Sequence, residues 1–390
     1  MTLNSNFEIP SLEHQRMCVR CVMDTSDSQI VFDQDGVCNH CRNFLNVTSK
    51  NWFPNEPGQQ RLKSILDRIK SDGKGKQYDC TLGLSGGVDS SYLGIKAHEW
   101  GLRPLVIHVD TGWNSDMSMS NVERIVKHCG FELHTEVIDW EEMRDLQLAY
   151  LRSGISNQDV PQDHAIFASV YNYSIRNGIR CILSGGNTAT ESILPESWHG
   201  NAMDAINLRA IHRQFGERAL RRFPIISFWR LYILYPLILR MRPIRLLNYI
   251  PYSRNSAIQE MIALCGWKPY GYKHGESKFT RLFQNDFLPR KFGYDKRRPH
   301  FSSLILSGQM SREEALNALA QPLYAPQELA EDIAYLCNKL GITRSEFDQF
   351  LSLPNRTHSD FPNWNRSYCR LKKIQALVER FTGKLFRTYS

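Results

Sequence analysis

The segment Leu82 to Ser91, LGLSGGVDSS, places two adjacent glycines between hydroxyl side chains. It follows an apolar run (Tyr78 to Leu84) and precedes a helical one (Ser90 to Trp100). Gly86 and Gly87 reach backbone conformations that other residues resist. Successive N–H groups can therefore converge on one anion, and a helix starting there adds partial positive charge. Ser85, Gly86, Gly87, Asp89 and Ser90 are the expected contacts to the outer phosphates of a nucleotide. The hydrolytic loop G-x-x-x-x-G-K-[ST] needs a lysine at the β/γ-phosphates, and no lysine occurs between Leu82 and Ile95. The expected ligand is accordingly a pyrophosphate unit, not a γ-phosphoryl group in transfer. Asp89, a carboxylate inside an anion cradle, either takes part in holding Mg²⁺ against the phosphates or caps the helix that follows.

Cys18-Val-Arg-Cys21 and Cys38-Asn-His-Cys41 are two C-x-x-C pairs separated by sixteen residues, with a turn-forming Asp35-Gly36 between them. Four thiolates at this spacing make a closed tetrahedral Zn²⁺ site. A short segment poor in apolar residues gains from the metal the stability it lacks in a core. With every position taken by protein no water is activated, so the expected role is structural; an iron–sulfur cluster is the alternative occupant. The cysteines at 80, 129, 181, 265, 337 and 369 are scattered and read as inert thiols.

Two further turns close apolar runs. Asp110-Thr-Gly-Trp-Asn114 is expected near ribose or adenine, with Asp110 as the contact, and Ser184-Gly-Gly-Asn187 beside the α-phosphate, with Gly185, Asn187 and Glu191 near the phosphate or magnesium. A helix cap at Asp110 and a simple turn at Gly185-Gly186 are the plainer alternatives. Asn157 to His164 gathers polar residues around Pro161, and there His164 with Asp159 or Asp163 can orient ammonia or take its proton. The alternative is a helix start with Asp163 as cap and His164 exposed. Tyr272 to Thr280 and Arg290 to His300 are dense in bases; Lys273, Lys291, Lys296, Arg297 and His300 are candidates to neutralise departing pyrophosphate or a diphosphate on the acceptor. A solvated basic loop is the competing reading.

Such turns need a scaffold that brings their ends together. After the first loop come a strand-like Pro104 to Val109, an amphipathic Ser120 to Cys129, a strand-like Glu132 to Ile138, helical runs at Trp140 to Arg152 and Asp163 to Asn177, and a strand-like Ile179 to Ser184. This alternation predicts an α/β fold with a doubly wound parallel sheet, whose strand ends would gather the three turns over one ATP. The expected divisions are a zinc-ribbon-like segment over 1–55, the nucleotide-binding core over 56–215, an acceptor- or partner-binding region over 216–300 and a helical region over 301–390.

The 390 residues are 42% hydrophobic with a formal charge of +8, enough for several cores and favourable to anionic ligands. The bases are dispersed, so nucleic acid is permitted but not demanded. Phe223 to Tyr252 is strongly apolar and carries arginines at 230, 240, 242 and 245; its longest charge-free run, Leu231 to Leu239, is too short to span a bilayer. A buried helical pair or a subunit contact is expected there, and an oligomer of identical chains is compatible with it. The opening MTLNSNFEIP has neither basic flank nor apolar run, so no signal peptide and a cytoplasmic location are expected.

Taken together, the cysteine pairs, LGLSGGVDSSY, HVDTGWNS, DVPQDHAIFAS, LSGGNTATE, YGYKHGESKFTRLFQ and LPRKFGYDKRRPHFSSLILSGQMSREEAL resemble the N-acetyl sugar amidotransferases of bacterial surface-polysaccharide biosynthesis, within the PP-loop ATP pyrophosphatases. The resemblance runs over nearly the whole chain. It implies ATP cut between its α- and β-phosphates, adenylation of an acetamido oxygen on a UDP-linked sugar, and replacement of that oxygen by ammonia to give an acetamidino group, for lipopolysaccharide O-antigen. It also implies a separate glutaminase subunit as the ammonia source, since neither a cysteine at the processed N-terminus, where Thr2 stands, nor a nucleophile elbow is present. A tRNA-modifying PP-loop enzyme of the thiolation or lysidine type is the alternative; Cys80 and Cys181 fall on expected strands and not in a C-x-x-C pair.

Overall fold

The computed structural model describes residues 16–270 and 275–382. Five strands, β1 (Cys80–Gly83), β2 (Pro104–Asp110), β3 (Glu132–Val137), β4 (Cys181–Leu183) and β5 (Arg242–Ile244), form one sheet in the order β3-β2-β1-β4-β5. Every pairing is parallel, and Leu82 of β1 stands beside Val106 of β2 on one side and Leu183 of β4 on the other. The chain winds outward from β1 through β2 to β3 and then returns to lay β4 on the opposite flank of β1. The carboxyl ends of β1 and β4 therefore diverge into a crevice, the place where such sheets bind ligands.

The helices up to the sheet's last strand are α1 (Asn39–Asn46), α2 (Glu56–Asp72), α3 (Val88–Glu99), α4 (Asp116–Cys129), α5 (Trp140–Ser153), α6 (Val160–Arg176), α7 (Thr188–Glu191) and α8 (Ala205–Phe215). Side chains alternate across the sheet. Leu105, Ile107, Val109 and Ile182 join residues of α5, α6 and α8 in one core, whereas Leu82, Val106, Cys181 and Leu183 join α3 and α4 in the other. Both faces are covered over β1, β2 and β4, which is why β2 and β4 read as near-continuous apolar runs, whereas the edge strands β3 and β5 are half-buried or exposed. The expected doubly wound α/β architecture is what the chain adopts.

Beyond β5 follow α9 (Arg254–Cys265), α10 (Lys278–Leu282), α11 (Leu288–Phe292), α12 (Arg297–Leu306), α13 (Arg312–Leu319), α14 (Pro326–Leu340), α15 (Arg344–Ser352) and α16 (Asn365–Thr382). The cysteine-bearing segment docks on this part of the chain. Arg298 of α12 donates to the Val22 carbonyl at 3.0 Å and pairs with Asp24 at 3.0 Å, and Arg312 donates to the Cys18 and Cys21 carbonyls at 3.1 and 3.2 Å.

The apolar segment 223–252 takes a form the sequence did not suggest. Arg230–Ile238 is a widened π-type helix containing Pro236, and it buries Leu231, Tyr232 and Tyr235 while Trp229, Leu237 and Ile238 face outward. Tyr235 stacks on Tyr171 of α6 at 4.9 Å, and the chain then enters β5, an edge strand where Pro243 is tolerated. Among the described residues no helix is long and apolar enough to cross a membrane.

Candidate active site

The turn after β1 is built to present donors. Gly86 sits at φ +81°, and a Cβ there would lie 2.4 Å from the Ser118 carbonyl oxygen, so conformation and space both demand glycine. Ser85 Oγ accepts the Gly87 N–H at 3.2 Å and lies 3.0 Å from Ser90 Oγ, which fixes the loop from within. α3 begins at Val88 with Gly87 as its N-cap and no side chain closing it. Its first-turn N–H groups have no intrahelical acceptors, an arrangement suited to an anion. Tyr270 clamps the turn from outside by donating to the Gly86 carbonyl at 2.9 Å.

Asp89, in the first turn of α3, does not cap that helix. Its Oδ1 instead accepts Asn187 Nδ2 at 3.2 Å and the hydroxyl of Tyr252. Burial, and next the negative charge of Asp89, push the Tyr252 phenol well above its ordinary pKa, so it stays a donor. Asn187 is itself fixed: as N-cap of α7 its Oδ1 accepts the Thr190 N–H at 3.0 Å. The turn after β4 comes so near that a Cβ on Gly185 would stand 2.9 Å from Ser90 N and 3.0 Å from Ser90 Cα.

Between these turns lies a cleft of about 210 Å³ whose lining includes Ser85, Gly87, Asp89 and Ser90, then Gly185 and Glu191, then Arg254, Tyr270, Glu276 and His300. The structure thus brings together the first and third turns and, of the basic cluster, His300, whose Nδ1 donates to the Thr190 carbonyl at 3.1 Å. Arg254, Tyr270, Glu276 and Tyr252 were not singled out by the sequence. Tyr252 and Arg254 lie in none of the quoted motifs and reach the loop through tertiary contacts, whereas Tyr270 and Glu276 lie within YGYKHGESKFTRLFQ, a stretch read for its bases.

Other expected site residues lie apart from this cleft. Asp110 closes its own turn, accepting the Gly112 N–H at 2.8 Å and Asn114 Nδ2 at 3.3 Å. His164 corrects both readings made of it, exposed cap neighbour and proton acceptor. It is 0% exposed, its Nδ1 donates to the Ala202 carbonyl at 3.1 Å and its Nε2 accepts the Ile226 N–H at 3.1 Å. Burial lowers its pKa to about 4, so it is a neutral core residue with both ring nitrogens engaged. Asp163 lies half-buried in the first turn of α6 and is not among the cleft-lining residues.

Arg297 is likewise not an anion ligand. It pairs with Asp295 at 2.7 Å and donates to the carbonyls of Ala318, Leu319 and Gln321 at 2.8 to 3.1 Å, closing the end of α13. Lys291 donates to the carbonyls of Leu351 and Leu353 near the end of α15, and burial lowers its pKa to about 8. Lys296 does not line the cleft. Lys273 lies outside the described residues. Cys80 and Cys181 are buried on β1 and β4, and burial pushes the Cys181 thiol up to about 12, which leaves neither as a ready nucleophile.

The four-cysteine site is assembled as expected. Cys18, Cys21, Cys38 and Cys41 are fully buried with all sulfurs within 4.8 Å of one another, and the Cys21–Cys38 and Cys38–Cys41 separations are both 3.7 Å. A regular tetrahedron with Zn–S bonds of about 2.3 Å has edges of roughly 3.8 Å, so these sulfurs fit zinc. The N–H groups of Arg20, Cys21 and Cys38 point at Cys18 Sγ from 3.3 to 3.5 Å, which favours the thiolate.

No curated protein matches the chain. Among solved structures it is similar to an NH3-dependent NAD synthetase from Campylobacter jejuni in complex with the nitrate ion, at 16% identity over 40% of this chain and 72% of that one, TM-score 0.28. It is also similar to an NMN synthetase from Francisella tularensis, at 13% identity over 66% of this chain and 95% of that one, TM-score 0.33. An NAD+ synthetase from Burkholderia pseudomallei matches at 16% identity over 58% of this chain and 94% of that one, TM-score 0.27. The sheet order and loop geometry do not depend on these likenesses. Residues 276–375 match the family described as LPS biosynthesis protein WbpG-like, C-terminal domain. This matching stretch is the part of the chain that supplies Glu276 and His300 to the cleft.

Proposed function

We propose that the chain is an ATP-dependent, AMP-forming amidotransferase acting on an acetamido group of a UDP-linked sugar. The observation that carries this reading is the meeting of the Ser85–Ser90 loop, the open start of α3 and the Gly185–Glu191 turn on one cleft at the switch point of the sheet. The lipopolysaccharide context of residues 276–375 supports a sugar acceptor.

In this reaction the amide oxygen attacks the α-phosphorus of ATP, the bond from that phosphorus to the bridging oxygen breaks, and pyrophosphate leaves. Ammonia then adds to the resulting imidate carbon, the carbon–oxygen bond breaks with AMP as leaving group, and an amidine remains. Amide, ATP and ammonia are thus consumed, and amidine, AMP and pyrophosphate are formed. The chain's part is to hold the phosphates by main-chain donors that need no reorganisation as charge develops. Asp89, Glu191 and Glu276 offer the oxygen donors a hard cation requires, and Asp89 with Glu191 would hold Mg²⁺, which offsets phosphate charge when bound. The four thiolates would hold Zn²⁺ as a structural clamp between the N-terminal segment and α12 and α13. Ammonia comes from a separate glutaminase subunit.

The test is mass spectrometry of a UDP-diacetamido-uronate incubated with the chain, ATP, Mg²⁺ and ammonium, with the phosphorus products followed by ³¹P NMR. Product lighter by the difference between O and NH, with AMP and pyrophosphate, is expected. Release of ADP and orthophosphate would overturn the reading.

A further inference from the structure

Pyrophosphate leaving the cleft carries dense negative charge, and two of the cations suggested for it by sequence are engaged elsewhere, Arg297 at the end of α13 and Lys291 at the end of α15. One guanidinium does line the cleft, that of Arg254. It is half-buried, and among the described residues it forms no ion pair and no side-chain hydrogen bond, although Asp89, Glu191 and Glu276 line the same space. A partly desolvated cation without a partner is costly unless an anion completes the site.

Nothing in α9 itself calls for arginine here. A cation in the first turn of a helix opposes the helix dipole. The residue is nevertheless held in place, since its backbone N–H donates to Gln309 Oε1 at 3.2 Å. Tyr252, two residues earlier, fastens Asp89, and α3 packs against α9. One turn of chain therefore restrains the loop's carboxylate and delivers a guanidinium to the same cleft. His300, the other base lining it, is already donating to Thr190 through Nδ1.

We infer that Arg254 is the cation of a pyrophosphate subsite, binding the β/γ-phosphate unit together with the N–H groups of the Ser85–Ser90 loop. A guanidinium presents a planar fork that pairs bidentately with phosphate oxygens and keeps its charge throughout the working pH range. The inference rests on the proposed reaction for the role of that unit as leaving group, whereas the binding itself needs no turnover.

The experiment is calorimetric titration of inorganic pyrophosphate, with Mg²⁺ present, into the full chain and into Arg254→Gln and Arg254→Lys. Arg254→Gln is expected to weaken binding by about tenfold or more, and Arg254→Lys to recover part of the loss because the charge remains without the fork. Unfolding temperature and zinc content should match the wild type, and with two variants the loss of fold in one leaves the other to decide. Wild-type affinity in both variants, or absence of pyrophosphate binding by the wild type, would overturn the inference. Its fate is separable from that of the reaction: ADP and orthophosphate as products would sink AMP formation and leave an Arg254-dependent affinity standing.

Discussion

Asn187 Nδ2 lies 3.2 Å from Asp89 Oδ1, joining the turn after β4 to the loop after β1 across 98 positions of sequence. The same oxygen accepts the hydroxyl of Tyr252, so one carboxylate in an anion cradle is fixed by two neutral donors from two other segments. Two such donors set the direction of the carboxylate, as the Mg²⁺-holding role proposed for it requires.

Tyr252→Phe removes one of these donors and keeps the ring against Tyr92, whose centroid is 5.6 Å away. The expected result is a stability loss of about 1 kcal/mol, with AMP formation slowed several-fold and a higher Mg²⁺ concentration needed for half-maximal rate. A Mg²⁺ titration of initial rates decides it. An unchanged Mg²⁺ requirement would show that the tyrosine only fills space.

Gly185→Ala tests the approach of the two turns. The new Cβ would meet Ser90 N at 2.9 Å and Asp89 C at 3.1 Å, both backbone atoms, so neither partner can swing away. The turns must part, at a cost of about 1–3 kcal/mol. ATP affinity measured by calorimetry should fall by more than tenfold, whereas Gly178→Ala, where a Cβ meets nothing within 4 Å but φ is +62°, should cost stability and leave ATP affinity intact.

The parts of this site that were legible in the sequence are those encoded by contiguous residues. LGLSGGVDSS carries its strand, its glycine turn and its helix start in one stretch, and the structure places β1 and α3 there. The C-x-x-C pairs are equally local, and their sulfurs meet. Arg254 was invisible because α9 reaches the loop only through folding, and Tyr270 and Glu276, though inside the quoted YGYKHGESKFTRLFQ stretch, were passed over for its bases for the same reason. Arg297 misled for the opposite reason: its basic neighbourhood suggests an anion, but the unsatisfied carbonyls at the end of α13 take the guanidinium first. β5 was missed since three residues with a proline give almost no strand signal; its parallel pairing with β4 supplies the order instead.

The four-cysteine site should matter to the whole C-terminal half. Arg312 donates to the carbonyls of Cys18 and Cys21, and Val22 N–H donates to Ser302 Oγ at 3.2 Å, so the four-cysteine segment braces α12 and α13. Cys38→Ser is expected to abolish stoichiometric zinc and lower the unfolding temperature, with the same fall on chelation of the wild type. Arg312→Ala should keep the zinc and lose about 1–3 kcal/mol. Elemental analysis beside calorimetric unfolding separates the two outcomes, and full stability in zinc-free protein would refute the bracing role.

The buried imidazole of His164 predicts how the fold responds to acid. Its pKa is lowered from 6.5 to about 4 in the folded chain, chiefly by burial, so between those values the unfolded state binds the proton and the folded state does not. Stability therefore rises with pH across this window and is lost as pH falls through it, by up to about 3 kcal/mol from this one group. His199, also lowered to about 4, adds a term of the same sign. Replacing His164 with Gln, which can donate to Ala202 and accept from Ile226, should flatten the dependence of unfolding free energy on pH between 6.5 and 4 while leaving the His199 part. It should also leave the pH profile of AMP formation unmoved, because His164 does not line the cleft. A rate profile that loses its acidic limb in His164→Gln would return this residue to the chemistry.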